Sequence, residues 1–364
     1  LLAFGAGVGV GAAAVWAARP RRAASGPGGA VDASHPALRH GMPVGPRLRA
    51  FQDFVVAFDP RTRNPLWALE RITRDSTRGP GDRAGASFRE DRDIPSRFRN
   101  KLSDFQQSGF DRGHLVPAAT HRGSQRALEE TFSLSNISPQ VGKGFNRDYW
   151  ARFEHFVKGL ARGSTEVFVV TGPLFVPRRE GALGGAGGGW RADYALLGAP
   201  PELVAVPTHF FKVVLVDPGP GELDAAPAVG AFVMPNEKID PKRPLSDFVV
   251  PVGALEAAAG LEFFPALLGE GGRGALDARA AELNTRGGAG PLLGGRGGGR
   301  PPALLPPPGE GPAAESAGPG PGAGAGGGAP AGAPAPPPHL CDRARCELPP
   351  PNFWEKAGKA PPRR

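Results

Sequence analysis

The sequence predicts a mixed α+β domain built on a central antiparallel sheet flanked by helices, and three features carry that expectation. Apolar runs of strand length outnumber stretches with helical punctuation. They do not alternate regularly with helices, as a parallel sheet would require. Foldable composition is also confined to one stretch: 55 Gly and 43 Pro are spread unevenly over 364 residues, and most of residues 269–338 is Gly, Pro and Ala. Such a segment cannot bury enough apolar surface to offset its chain entropy. About 220 residues remain, enough for one sizeable core.

Taken in order, residues 1–18 carry no charge, and Arg19, Arg21 and Arg22 follow at once. A bilayer span takes about 20 residues, so this short Gly/Ala-rich run reads as a membrane anchor, a sorting signal or a secretory core, apart from the fold. Residues 19–46, rich in Arg, Ala, Gly and Pro, read as a linker, and a domain is expected over 47–268. Within it, Phe54–Phe58 and Leu66–Ile72 are expected strands separated by a Pro/Asn turn. The charged stretch Asp75–Arg99 is expected to be a long loop. Ser124 is placed to cap a short helix running to Glu130, with Phe132–Ser135 returning to strand.

The best-marked helix is expected to start about Asn146, with Asp148 in its first turn, Lys158 in its last and Gly159 at its end. Glu166–Thr171, Phe210–Val216, Gly230–Met234 and Phe248–Val252 have strand composition, and a last short helix is stopped by Gly260. Residues 269–338 are expected to be disordered, and 339–364 form a tail. No period suggests a solenoid.

A formal charge of +8 suits a polyanionic partner, because each neutralised phosphate releases counterions. Cys341 and Cys346 are the only cysteines; they could close a small disulfide or stay free, and nothing beside them completes a zinc set.

Two constellations carry chemistry. In Asp111-Arg112-Gly113-His114, a carboxylate could orient the imidazole and raise its basicity, while Gly113 permits close backbone approach. Taken alone, such a histidine is more often a structural residue than a base. Further on, Asn146, Trp150, Glu154 and Lys158 are spaced by four, following one stripe of a helix. That stripe is either a half-exposed face with a Glu154–Lys158 ion pair, or a site in which Asn146 and Glu154 give oxygen ligands and Lys158 meets phosphate.

Several ordered blocks decide between these readings. Asp111–His114 (DRGH), Thr131–Asn136 (TFSLSN), Pro139-Gln140, Gly144–Trp150 (GFNRDYW) and Glu154 resemble the DNA/RNA non-specific endonuclease family, in particular its mitochondrial members. Thr171–Pro173 (TGP), Val206–Lys212 (VPTHFFK) and Phe232–Asn236 (FVMPN) match further blocks in the same order, so the likeness covers roughly residues 47–265.

The resemblance implies a ββα-metal fold and a magnesium-dependent enzyme, with manganese able to substitute, that hydrolyses DNA and RNA to 5′-phosphate products. It implies His114 as general base, Asn146 as the side chain holding the metal, and Glu154 acting on the metal through water. Arg99 and Arg112 are implied as phosphate contacts, Lys158 as a substrate contact, and Asp111 and Asn136 as supports. It further implies a homodimer in mitochondria, at the inner membrane or in the intermembrane space, with residues 1–18 as a possible membrane attachment. Lys158 departs from the family's usual arginine and cannot make a bidentate fork. The Gly-rich run at 181–189 and the tail from 269 look like insertions. Two other readings stand beside this one: a non-catalytic nucleic-acid binder on the same fold, and a secreted non-specific nuclease.

Overall fold

The computed structural model describes residues 36–40, 43–164, 166–180, 189–218, 226–286, 336–351 and 353. The expected anchor at 1–18, most of the linker and of the Gly-rich run, residues 287–335 and the last eleven residues lie outside the described residues. Of the segment before Gly45, a single turn of 3₁₀ helix at Pro36–Leu38 is described.

The strands are β1 (Arg47–Ala50), β2 (Phe54–Asp59), β3 (Asn64–Ile72), β4 (Phe110–His114), β5 (Ile137–Val141) and β6 (Glu166–Leu174). They continue with β7 (Arg178–Glu180), β8 (Gly189–Arg191), β9 (Leu196–Ala199), β10 (Glu202–Ala205), β11 (His209–Asp217), β12 (Ala228–Pro235) and β13 (Val249–Val250). The helices are α1 (Gln125–Glu130), α2 (Tyr149–Leu160), α3 (Val252–Ala259), α4 (Glu270–Arg286) and α5 (Leu340–Arg343).

Seven strands form one antiparallel sheet in the order β1-β2-β3-β6-β11-β12-β13. Alternation along each strand divides its apolar residues between two faces. On one face Val56, Ala68, Val169, Phe210 and Phe232 pack against Trp150, Phe153 and Val157 of α2. On the other, Phe211, Val213, Val229 and Val233 pack against Val252 and Leu255 of α3 and Leu276 of α4. The sheet is therefore the middle of three layers. Each large apolar side chain of α2 that is buried in this way contributes about 1.5–3 kcal/mol.

Outside this sheet, β4 pairs antiparallel with β5, and the chain passes from β5 through a wide turn at Gly142–Asn146 into α2. This is the expected ββα arrangement. Ser124 caps α1 by accepting from the Ala127 backbone N–H at 3.0 Å, as the sequence predicts.

Three expectations are corrected. Residues 132–135 are not a strand: Ser133 makes only an isolated bridge to Arg89, Leu134–Asn136 is a 3₁₀ turn, and strand β5 begins at Ile137. The polar side chains there bond locally and to a neighbouring loop, Ser135 Oγ donating to Asp91 at 2.7 Å, which competes with a ladder. Helix α2 starts at Tyr149, not Asn146, because Asp148, its N-cap, takes a non-helical φ of −125° and ψ of −88°, after a turn in which Gly144 has a φ of +89°.

The third concerns 269–338, whose first part is the helix α4. Leu276 and Ala280, four apart, are both buried against the sheet layer, and the glycines around them mask that periodicity in the sequence. The cysteines left open above form a disulfide, Cys341–Cys346, in a C-terminal strap with Leu340 and His339 buried.

Candidate active site

A cleft of about 450 Å³ opens where β4, the Gly142–Asn146 turn and α2 meet, lined by Arg83, Arg112, His114, Asn146, Arg147 and Glu154 among others. The ββα unit thus brings together His114, Arg112, Asn146 and Glu154, which lie up to forty-two residues apart in the chain.

His114 ends β4. Its ring packs edge-on against Phe132, centroids 4.8 Å apart, and against Phe88 at 5.2 Å. These same rings carry the cations: the Arg112 guanidinium lies 4.5 Å from the Phe88 centroid and that of Arg83 5.6 Å from Phe132. Burial, then the charges of Arg83 and Arg112, push the His114 pKa down to about 3. The imidazole is therefore neutral near pH 7, and its buried Nε2 has no hydrogen-bond partner among the described residues.

This corrects the expectation that a carboxylate raises the basicity of His114. Asp111 points elsewhere, because residues alternate across a strand and His114 lies three positions on. Its carboxylate accepts from Asn146 Nδ2 at 2.9 Å and from Arg147 Nε at 2.9 Å. Holding the Asn146 amide by its nitrogen leaves the amide oxygen as the end available to a ligand. Gly113 faces Gln140 so closely that a Cβ there would collide with the Gln140 side chain.

Glu154 sits on α2 across the cleft. Burial, aided by the Glu70 carboxylate, raises its pKa to about 7, against the pull of Lys212, Arg83 and the Trp150 indole. Asn136 is fully buried behind the histidine: its Oδ1 accepts from Val116 N at 3.1 Å, and its Nδ2 donates to Val116 O at 3.0 Å and Thr131 O at 2.9 Å. This clamps the backbone just after His114.

Two expected site residues are not brought into the cleft. Arg99 does not line it; its Nε lies 3.8 Å from Glu90 Oε2. Lys158 lies one turn beyond Glu154 on α2, outside the cleft lining. Conversely, Arg83 and Arg147 line the cleft without having been singled out from sequence. Arg147 follows Asn146 inside a recognised block, which was a usable signal. Arg83 opens a single 3₁₀ turn, Arg83–Gly85, within a charged stretch that has no periodicity to mark it.

An asparagine oxygen beside a carboxylate is an oxygen donor set of the kind a hard, largely hydrated divalent cation accepts, so these residues fit such an ion. The neutral imidazole and the two arginines add a proton acceptor and fixed positive charge.

Comparison with known proteins gives a consistent set. The sequence profile of the DNA/RNA non-specific endonuclease family matches residues 33–269. The chain is 44% identical over 231 residues to the mitochondrial nuclease of Saccharomyces cerevisiae, covering 62% of this chain and 68% of that one. It is 40% identical over 234 residues to human mitochondrial endonuclease G, covering 64% and 75% of the two chains. Among solved structures, a chain from an EndoG/EndoGI complex, described as revealing the mechanism of EndoG inhibition, superposes with a TM-score of 0.56 at 38% identity. That match covers 62% of this chain and 89% of the other.

Proposed function

The chain belongs to the DNA/RNA non-specific endonuclease family and is an endonuclease, and on that premise we propose that His114 is its general base, working with magnesium held by Asn146. The observation that carries this reading is the neutral His114 imidazole sharing one cleft with Asn146, Glu154 and the Arg83 and Arg112 guanidinium groups. Water is a poor nucleophile at neutral pH, so a neutral ring nitrogen within reach can take its proton as it attacks phosphorus. The low pKa keeps that nitrogen deprotonated, and the incoming phosphate's negative charge opposes the arginines and strengthens it as a base.

Arg112 and Arg83 hold the phosphate by charge-assisted hydrogen bonds, and the aromatic faces beneath them limit their freedom. The family is metal-dependent. Asn146 would bind the ion directly and Glu154 through water, and magnesium, or manganese in its place, supplies Lewis-acid stabilisation of the leaving 3′ oxygen. Asp111 orients the Asn146 amide for that role. Every assigned contact is to phosphate, which carries neither base identity nor a 2′-hydroxyl and so fits both DNA and RNA, and departure of the 3′ oxygen leaves 5′-phosphate products.

The fold domain over residues 47–268 carries this activity. The names of the yeast and human relatives support a mitochondrial location, and we extend it to the inner membrane or intermembrane space, to be checked by immunogold labelling of the full chain. The homodimer is part of the same proposal, to be checked by sedimentation equilibrium. The decisive assay is digestion of duplex DNA and of RNA with magnesium. His114→Ala is expected to bind DNA normally and to cut about 100- to 10,000-fold more slowly. Cutting at the wild-type rate would remove the assignment.

A further inference from the structure

Beneath the cleft, the sheet carries charge where its other positions are apolar. Lys212, on β11, is buried, and so are Thr171 beside it on the central strand β6 and Glu70 on β3. All three point to the face covered by α2 and by the segment that follows His114. The Lys212 ammonium donates to Thr171 Oγ1 at 2.8 Å and to the carbonyl of Leu115 at 3.3 Å, and lies 4.8 Å from the centre of the Trp150 ring. Glu70 accepts from Thr120 Oγ1 at 2.8 Å and contacts His121 Nε2 at 3.0 Å.

Leu115 directly follows His114, and Trp150 lies one helical turn before Glu154 on α2. One ammonium thus touches both arms of the ββα unit from below, at the points where they carry the two groups facing each other across the cleft. Desolvating a lysine is costly, and part of that cost is offset here by the Glu70 and Glu154 carboxylates. Its further contacts, to the Leu115 carbonyl and the Trp150 ring, preorganise the two arms that carry the reacting groups.

We propose that Lys212 is a positioning residue for phosphodiester hydrolysis, tying the His114 end of β4 to the Glu154 turn of α2 through the Leu115 carbonyl and the Trp150 ring. It touches neither substrate nor the reacting atoms. Its contribution is to hold the separation and orientation of groups that do, so it acts on turnover and not on substrate binding. This rests on the reading of His114 and Glu154 as active-site groups.

The test uses the full chain, a defined duplex oligonucleotide and saturating magnesium, with His114→Ala as control. Lys212→Met keeps the volume and removes the charge. It is expected to lower kcat by about tenfold or more, with KM within about twofold of wild type, and to lower the melting temperature because Glu70 and Glu154 lose a buried counter-charge. Adding Glu154→Gln to Lys212→Met is expected to cost less than the product of the two single effects, because both disturb one arrangement. Thr171→Val, which removes one acceptor of the ammonium, is expected to lower kcat by about threefold or more, again with KM unchanged.

A folded Lys212→Met with wild-type kcat, or one whose kcat and Glu154→Gln effects multiply independently, overturns the proposal. If Lys212→Met does not fold, Thr171→Val decides, and an unchanged kcat there overturns it equally. The two readings fail separately. An active His114→Ala sinks the assignment of the site, whereas an inactive His114→Ala beside a fully active Lys212→Met sinks this inference alone.

Discussion

At the scale of single residues, the cleft separates arginines that the sequence could not rank. Arg83 stacks on Phe132 beside His114, while Arg99 lies near Glu90 away from the lining. Arg83→Ala is therefore expected to reduce kcat/KM by about tenfold or more, the loss of a charge-assisted phosphate contact, and Arg99→Ala to change it by less than about threefold. Steady-state cleavage of one oligonucleotide by both variants checks this, and the opposite ranking would restore Arg99 as the phosphate contact. Glu154 gives a pH-dependent prediction. Burial raises its pKa from an ordinary 4.5 to about 7. The folded state then holds the proton more tightly than the unfolded chain, so stability of the metal-free protein is fullest below the unfolded pKa and declines as pH rises through about 7. Glu154→Gln cannot titrate, so its melting temperature is expected to fall less than that of wild type between these limits; parallel curves would contradict the buried carboxylate.

At the scale of elements, the turn before α2 decides where Asn146 sits. A regular helix from Asn146 would align it with Trp150 and Glu154 on one stripe. Instead Lys143 is extended, Gly144 is left-handed, and Asn146 leaves the turn bonded to Asp111 on β4. A side chain at Gly144 would be strained at this φ and would also meet Lys238. Gly144→Ala is expected to lower the melting temperature and, by shifting Asn146, to raise the magnesium concentration needed for half-maximal cleavage. Loss of stability with an unchanged magnesium titration would show that the turn does not position the asparagine. Element identity was largely legible from sequence: the β2, β3, β6, β11 and β12 runs and the Ser124 cap lie where apolar patterning and capping put them. Short strands were not. Phe110–His114 and Ile137–Val141 mix charge, glycine and proline, and pair with each other outside the main sheet, so neither shows strand periodicity.

At the scale of the whole molecule, the family match ends at residue 269, yet the packed body continues. Leu276 and Ala280 of α4 and Leu340 of the strap are buried, Val229 N donates to Pro338 O at 3.1 Å, and Arg279 pairs with Asp342, linking α4 to the strap. A chain ending at Gly269 gives up two buried leucines worth about 1.5–3 kcal/mol each. It is expected to unfold at clearly lower urea concentration than the full chain, and identical unfolding midpoints would mean that α4 and the strap add nothing. The +8 charge acts at this scale too, favouring polyanions as a whole and not any one sequence of bases.

The linear chain was enough to determine the α+β class, the major strands, the family and five cleft residues, Asp111, Arg112, His114, Asn146 and Glu154. Those depend on local patterning and on spacings within short blocks, which survive without knowledge of long-range contacts. Tertiary structure decided the rest: that Asp111 serves Asn146 and not His114, that Arg83 enters the cleft and Arg99 does not, that α4 packs, and that Lys212 and Glu70 put charge beneath the site. Each of those is a matter of which distant groups share one low-dielectric space. Burial and charge pairing there depend on three-dimensional neighbours, and residue order does not encode such neighbours locally.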